Sequence, residues 1–166
     1  MTDFSGNQYF GKYRGLVVNN VDPERSGRLL VTCPHVRGPT PAWAMPCVPF
    51  AGPLEGFFMM PTIGSNVWVE FEAGDPNLPI WSGCFWNIGQ VPPTAALPTT
   101  RTIKTMTCEL TLDDVQGVRV QVLPPAAPAP ATITINPTGA MINIGAATIT
   151  LDPVRVDVNN GALTVV

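Results

Sequence analysis

From Thr102 to Val166 small polar and aliphatic residues alternate in short runs. Met106, Cys108, Leu110 and Leu112 alternate with Thr107, Glu109 and Thr111. Val118, Val120 and Val122 enclose Arg119 and Gln121. Further runs carry Ile133 and Ile135, Ile142 and Ile144, Ile149 and Leu151, then Val154, Val156 and Val158, and finally Leu163 and Val165. A period of two predicts strands with one apolar and one wet face, and starts about every eight to twelve residues predict serial short strands. The segment holds no aromatic residue and no helical stripe to cover the apolar face, and a narrow ribbon of short strands is marginal alone. Identical copies would supply the cover. The expectation is an intertwined homo-oligomeric β-stalk over residues 102–166, its core made of the aliphatic positions from Met106 to Val158 named above together with Cys108. Leu163, Val165 and Val166 would form an apolar platform at its tip, where open strand edges need a cap.

The pattern ahead of the stalk differs. Residues 1–10 read as an arm with three aromatics, Phe4, Tyr9 and Phe10, either disordered or docked on a partner or neighbouring subunit. Residues 11–88 read as an all-β domain. Its predicted strands are Tyr13–Val21, Arg28–Cys33, a short edge strand over Trp43–Val48, Asn66–Glu72 and Ile80–Trp86, separated by turn formers such as Asp22–Gly27 and Gly74–Pro79. Pro34 to Pro61 is too rich in proline for long regular structure. Five short strands with little helix suit a Greek-key barrel of OB type. Residues 89–101 form a Pro-rich linker. Leu123–Ala131 is a Pro/Ala stretch, read as an excursion between stalk strands or as a second linker. Gly52 to Met60 is an apolar loop, either covering the core or meeting another subunit.

Composition sharpens this. Of 166 residues only 13% are charged and the net charge is −3, against about a quarter charged in ordinary domains. So little charge marks part of the surface as interface. The acidic balance disfavours a nucleic-acid partner, although Tyr13, Trp43, Phe57, Trp68, Trp81 and Trp86 offer rings on which bases stack in some OB folds. With 19 prolines and 15 glycines, many turns are expected. No basic-then-apolar segment predicts a secretory signal, and no apolar run approaches the ~18 residues of a membrane helix. Cys33, Cys47, Cys84 and Cys108 show no metal-ligand spacing; they read as small buried hydrophobes, with a disulfide as the alternative. Glu70 and Glu72, on one face of a predicted strand, would lie ~7 Å apart, within acid–base range but facing solvent or a subunit. His35 has no nucleophile motif beside it. No catalytic, cofactor or metal residue is predicted, and no enzyme activity.

The motifs of the barrel resemble a known family. Gly15-Leu16-Val17-Val18, Asp22-Pro23 and Gly27-Arg28-Leu29-Leu30-Val31 come first. Trp43, Pro46, Gly52, Pro53, Gly56, Pro61 and Gly64 follow, then Val67, Val69 and Phe71, and last Gly74-Asp75-Pro76, Pro79 and Gly83. This order resembles the OB domain of the spike family of contractile injection machines, which includes phage baseplate assembly protein V, the T4-type cell-puncturing spike and VgrG of type VI secretion. The resemblance implies a trimeric β-helix or β-prism after the barrel, a homotrimer, and a structural needle that joins tube and hub to the tip and pierces the target envelope. It implies a separate hub protein at the barrel end, a PAAR-like tip protein at the carboxy-terminal end, transient contact with the target membrane, and assembly in the cytoplasm into a tail baseplate or extracellular particle. No hydrolase domain separates barrel from stalk. The only histidine, His35, lies in the barrel, so the iron site that some members carry at the tip is not expected. The alternative function is an OB module for oligonucleotides or sugars, trimerised by its stalk.

Overall fold

The computed structural model describes residues 7–95 and 97–165. Most of the expected arm including Phe4, linker residue Ala96 and tip residue Val166 lie outside the described residues. The chain divides into two compact units, Met1–Gly89 and Gln90–Val166.

In the first unit β1 (Tyr13–Asn19), β2 (Leu29–Thr32), helical turn α1 (Pro34–Arg37), β3 (Ala42–Pro46), β4 (Ala51–Gly52), β5 (Glu55–Gly56), β6 (Asn66–Phe71) and β7 (Pro79–Phe85) follow in order. Five of them close a barrel, β1-β2-β3-β7-β6. β3 and β7 pair in parallel through Met45↔Ile80, and the other pairs are antiparallel. Register shifts at Val17/Asn19 and Val67/Val69 bend the strands toward closure. The core is Val17, Leu29, Val31, Cys33, Ala44, Val67, Val69, Phe71 and Trp81. Alternation in β6 is complete: Val67, Val69 and Phe71 point in, while Asn66, Trp68 and Glu70 remain partly exposed.

Several expectations need correcting here. The strand at Trp43 is not an edge strand. β3 bonds to β2 on one side and β7 on the other, because barrel closure removes edges and the parallel partner lies far away in sequence. β6 stops at Phe71, and Glu72–Gly74 forms a 3-10 turn with Ala73 at φ 50°. Glu70 and Glu72 therefore share no strand face, and Glu70 pairs with Lys12 at 3.1 Å. Pro34 opens a helical turn, its fixed φ being compatible with a first helical position. Of the four cysteines only Cys33 is buried; Cys47, Cys84 and Cys108 are exposed, and all four are free. The described end of the arm lies on its own barrel: the Tyr9 amide donates to the Gly74 carbonyl at 2.9 Å, and the Tyr9 ring packs against Tyr13 and Phe71.

The second unit is, among its described residues, one antiparallel meander. Its strands are β8 (Thr100–Lys104), β9 (Cys108–Asp113), β10 (Gly117–Val122), β11 (Ala131–Asn136), β12 (Gly139–Ile144), β13 (Ala147–Leu151), β14 (Val156–Val158) and β15 (Leu163–Val165), and each pairs with the next. β8 opens the sheet where the sequence reading has the end of a linker, because Arg101 and Lys104 mask a short alternating run. A 3-10 turn, Pro93–Ala95, packs on β8. Met106 and Val154, read from the sequence as strand residues, sit in turns, since the chain reverses at 105–107 and 152–155. The Pro/Ala stretch joins β10 to β11, which pair directly from Val122↔Ala131, so it is an excursion from the sheet.

Candidate functional site

The register of the meander sorts side chains by face. Ile103, Leu110, Val120, Ile133, Ile142, Ile149, Val158 and Leu163 stand opposite one another, one on each strand, in a row crossing the whole sheet. A parallel row runs Arg101, Leu112, Val118, Ile135, Ala140, Leu151, Val156 and Val165, and a shorter one Cys108, Val122, Ala131, Ile144 and Ala147. All share one face, because equal parity across paired strands means the same side. The other face carries Thr102, Thr111, Arg119, Thr134, Thr150 and Asp157 in one row and Lys104, Glu109, Gln121, Thr132, Asn143 and Thr148 in the next. Met141 is the apolar exception there.

Among the described residues, no aliphatic side chain of this unit is fully buried in the single chain. The isoleucines of the apolar rows keep between 40% (Ile149) and 55% (Ile135) of their surface exposed. Among the described residues of the unit the buried one is charged, Glu109. Its carboxylate accepts from Lys104 Nζ and from Thr102 Oγ1. The Lys104 hydrogen bond, aided by Thr94 and Thr102, holds the Glu109 carboxyl below its usual range against the opposing effect of burial. The single chain thus places its hydrophobes outward and a salt bridge in cover, the reverse of a finished core.

The hairpins at one end of the strands are fixed by side-chain acceptors. Asp113 Oδ1 accepts the amides of Val115 and Gln116, Asn136 Oδ1 those of Thr138 and Gly139, and Asp152 Oδ1 those of Val154 and Arg155. These Asx turns need no tertiary partner.

On the barrel most motif residues are spread over turns and core, but four of them, Gly27, Pro46, Gly52 and Gly56, line one open groove. Asp22 organises the β1–β2 loop. It accepts from the amides of Glu24, Ser26 and Arg28, and its Oδ1 takes Arg28 Nη2 at 2.8 Å. The Arg28 hydrogen bond holds the Asp22 carboxyl far below the usual carboxylate range. The Gly27 carbonyl accepts Trp81 Nε1 at 3.2 Å, and the Trp43 ring lies beneath the Arg28 guanidinium. Pro46 ends β3, and Pro61 offers its carbonyl to Asn20. The Gly64 amide bonds to Val17, Gly74 and Pro79 are buried at the two ends of the β6–β7 turn that holds Asp75 and Pro76, and Gly83 lies within β7. Gly52 and Gly56 flank the β4–β5 hairpin, whose tip is Pro53-Leu54. Leu54 is fully exposed in a left-handed conformation, φ 64°, beside an open groove of about 450 Å³ lined by Pro46, Phe57, Phe58, Met59 and Trp81. His35 is exposed on α1. Among the described residues no cluster of three or more His, Cys, Asp or Glu could hold a metal ion. Sequence reasoning missed the Lys104–Glu109 pair, for which opposite charges close together at the head of the stalk are the signal; Leu54 lies in the Gly52–Met60 loop that the sequence marks as apolar.

Comparison with known families accounts for both units. Residues 13–86 match the type VI secretion system/phage-baseplate injector OB domain, and residues 100–164 match the phage baseplate V carboxy-terminal trimerisation domain. The chain belongs to the baseplate V family. The closed barrel is its injector OB domain, and the meander with the unpaired apolar face is its trimerisation domain, which makes the assembled baseplate V protein a homotrimer. It is a component of a phage or type VI baseplate spike. No curated protein shows significant similarity to the chain.

Proposed function

We propose that this baseplate V family member is the central spike of a contractile injection machine, a passive homotrimeric needle whose shaft is a β-prism built from three copies of the meander. The observation that carries the reading is the apolar row from Ile103 to Leu163, present on every strand and uncovered in one chain. Strand length supports the prism. Strands of five or six residues at about 3.3 Å per residue span about 17–20 Å. Three such walls in a triangle stand about 5–6 Å from the shared axis. Facing sheets pack about 10 Å apart, or about 5 Å per side-chain layer, so one inward layer from each wall fills the interior. Eight strands at about 4.8 Å spacing give a shaft about 34 Å long.

Covering each half-exposed Ile, Leu or Val contributes about 1 kcal/mol, summed over three copies of the rows. Separating the chains would expose all rows together, which makes unfolding slow and suits a needle driven through an envelope by an external contraction. On this reading the barrel end meets a separate hub protein, and the apolar end at Leu163 and Val165 meets a PAAR-like tip protein that covers the open edge of β15. The test is mass in solution. The full chain sediments at three times the chain mass, and a chain ending before Thr100 sediments as a single barrel; a monodisperse single-chain species of the full protein at micromolar concentration would refute the reading. Penetration is tested by infection or killing with particles whose spike carries I142D: assembly and delivery fail together if the shaft must be rigid.

A further inference from the structure

The Pro/Ala excursion after β10 adds no strand to its own sheet. Leu123–Pro130 contains no charged residue and leaves a pair of strands that meet directly at Val122↔Ala131. Eight residues are spent where the β12–β13 hairpin of the same edge uses Gly145-Ala146 alone. The two ends of the excursion are tied to the neighbouring β8–β9 and β12–β13 turns of its own chain: the Leu123 amide donates to Thr107 and the Gly145 amide to Pro130, while the Ala126 amide closes a turn on Leu123. Its remaining surface, mostly Pro and Ala, faces solvent.

The meander also fixes what this loop faces in a trimer. In any meander, turns at the two ends of the strands are offset by one strand, about 4.8 Å. One end here carries the turns β9–β10, β11–β12 and β13–β14; the other carries β8–β9, β10–β11, β12–β13 and β14–β15. A closed threefold ring has head-to-tail contacts only, so the three-turn end of each copy must meet the four-turn end of the next. Four turns leave three gaps, and three turns fill them with no axial slip. Each turn at the three-turn end exposes an apolar residue among polar ones: Val115 is 63% exposed and Val154 76%, Pro137 and Pro153 are exposed as well, and Asp114, Thr138 and Arg155 stand beside them. They are stiffened by the Asx acceptors Asp113, Asn136 and Asp152.

From this juxtaposition we propose that Leu123–Pro130 is an inter-subunit clasp, which seats on the β9–β10 and β11–β12 turns of the neighbouring copy at each corner of the trimer. The loop covers Val115 and Pro137 of that copy, and its prolines let it do so with little ordering cost. The clasp fixes the axial register between chains, which the uniform apolar rows leave weakly specified, since a slip of two strands would still pair hydrophobe with hydrophobe. This inference rests on the trimer reading above, and its test separates the two.

In a background with Cys47→Ser, Cys84→Ser and Cys108→Ala, the double variant V115C/A126C is treated with a short bis-maleimide and resolved on a denaturing gel, with the mass measured before treatment. The expected result is a trimer mass and covalent trimers from the double variant, with none from either single variant. A trimer mass without inter-chain products overturns the clasp and leaves the trimer standing, whereas a monomer mass for the unsubstituted chain overturns both. A second measurement covers the case in which the double variant fails to assemble. Replacing Pro124–Ala129 with Gly-Ser should leave trimers that exchange subunits with tagged wild-type trimers at least ten times faster; an unchanged exchange rate overturns the clasp.

Discussion

Asp22 shows how one carboxylate organises a loop. Its two oxygens satisfy three backbone amides and the Arg28 guanidinium, so the turn is held by contacts local to it. Because the folded-state pKa is depressed, the stabilisation is fully present above the carboxyl's ordinary 3.8 and falls away as the pH drops below it. Thermal melts of the isolated barrel should show a melting temperature that declines from about pH 4 to about pH 2, and Asp22→Asn should lower the plateau and flatten that decline. Gly117 and Gly139 make the corresponding point in the stalk. Their φ values are +89° and +150°, and a Cβ on either would stand 2.1 Å from a backbone carbonyl oxygen, that of Ile135 or Leu151. Neither oxygen can move without breaking a ladder. Gly117→Ala or Gly139→Ala should cost about 1–3 kcal/mol per chain, read as a lower midpoint in guanidinium unfolding with the barrel transition unchanged.

At the scale of the element, the strand code is simple and the face it serves is not. Adjacent residues of β11, Ile133 and Thr134, belong to opposite faces by register. Ile133→Asp places a charge in the row that three copies would bury and should abolish the trimer mass at micromolar concentration. Thr134→Asp, one position on, should leave it intact. Equal effects at the two positions would show that the face is not the interface. The alternation that predicts this contrast is legible in sequence because side chains of a strand obey a period of two whatever covers them. The place of the strand at Trp43 is not legible for the opposite reason: its two partners, β2 and β7, lie at different sequence distances, and nothing in Ala42–Pro46 records the parallel one. Met106 and Val154 lie in turns rather than strands, a difference the pattern hides, since a hydrophobe in the right parity looks the same in a strand and in the turn beside it.

For the whole molecule, stability and concentration are inseparable, since a partner that binds only the folded form stabilises it by mass action. Refolding of the full chain should show a fast unimolecular phase from the barrel and a slower phase whose rate rises with protein concentration, followed by tryptophan fluorescence for the first and by sedimentation for the second. All four tryptophans lie in the first unit, so the optical signal isolates the barrel. A stalk phase independent of concentration would contradict assembly from separate chains.

What the sequence determined by itself is local and periodic: the strands, their faces, the turns made by Asp, Asn, Pro and Gly, and the excess of apolar surface that demands copies. These follow from backbone geometry and from side chains acting on near neighbours. The tertiary structure decided what depends on distant pairing. It closed the barrel through β3 and β7, aligned one hydrophobe from each strand into a continuous row, and gave Glu109 the cover that the isoleucines lack. The physical reason is that register and closure are set by contacts between residues far apart in the chain, where the preferences of single residues carry no record of the partner.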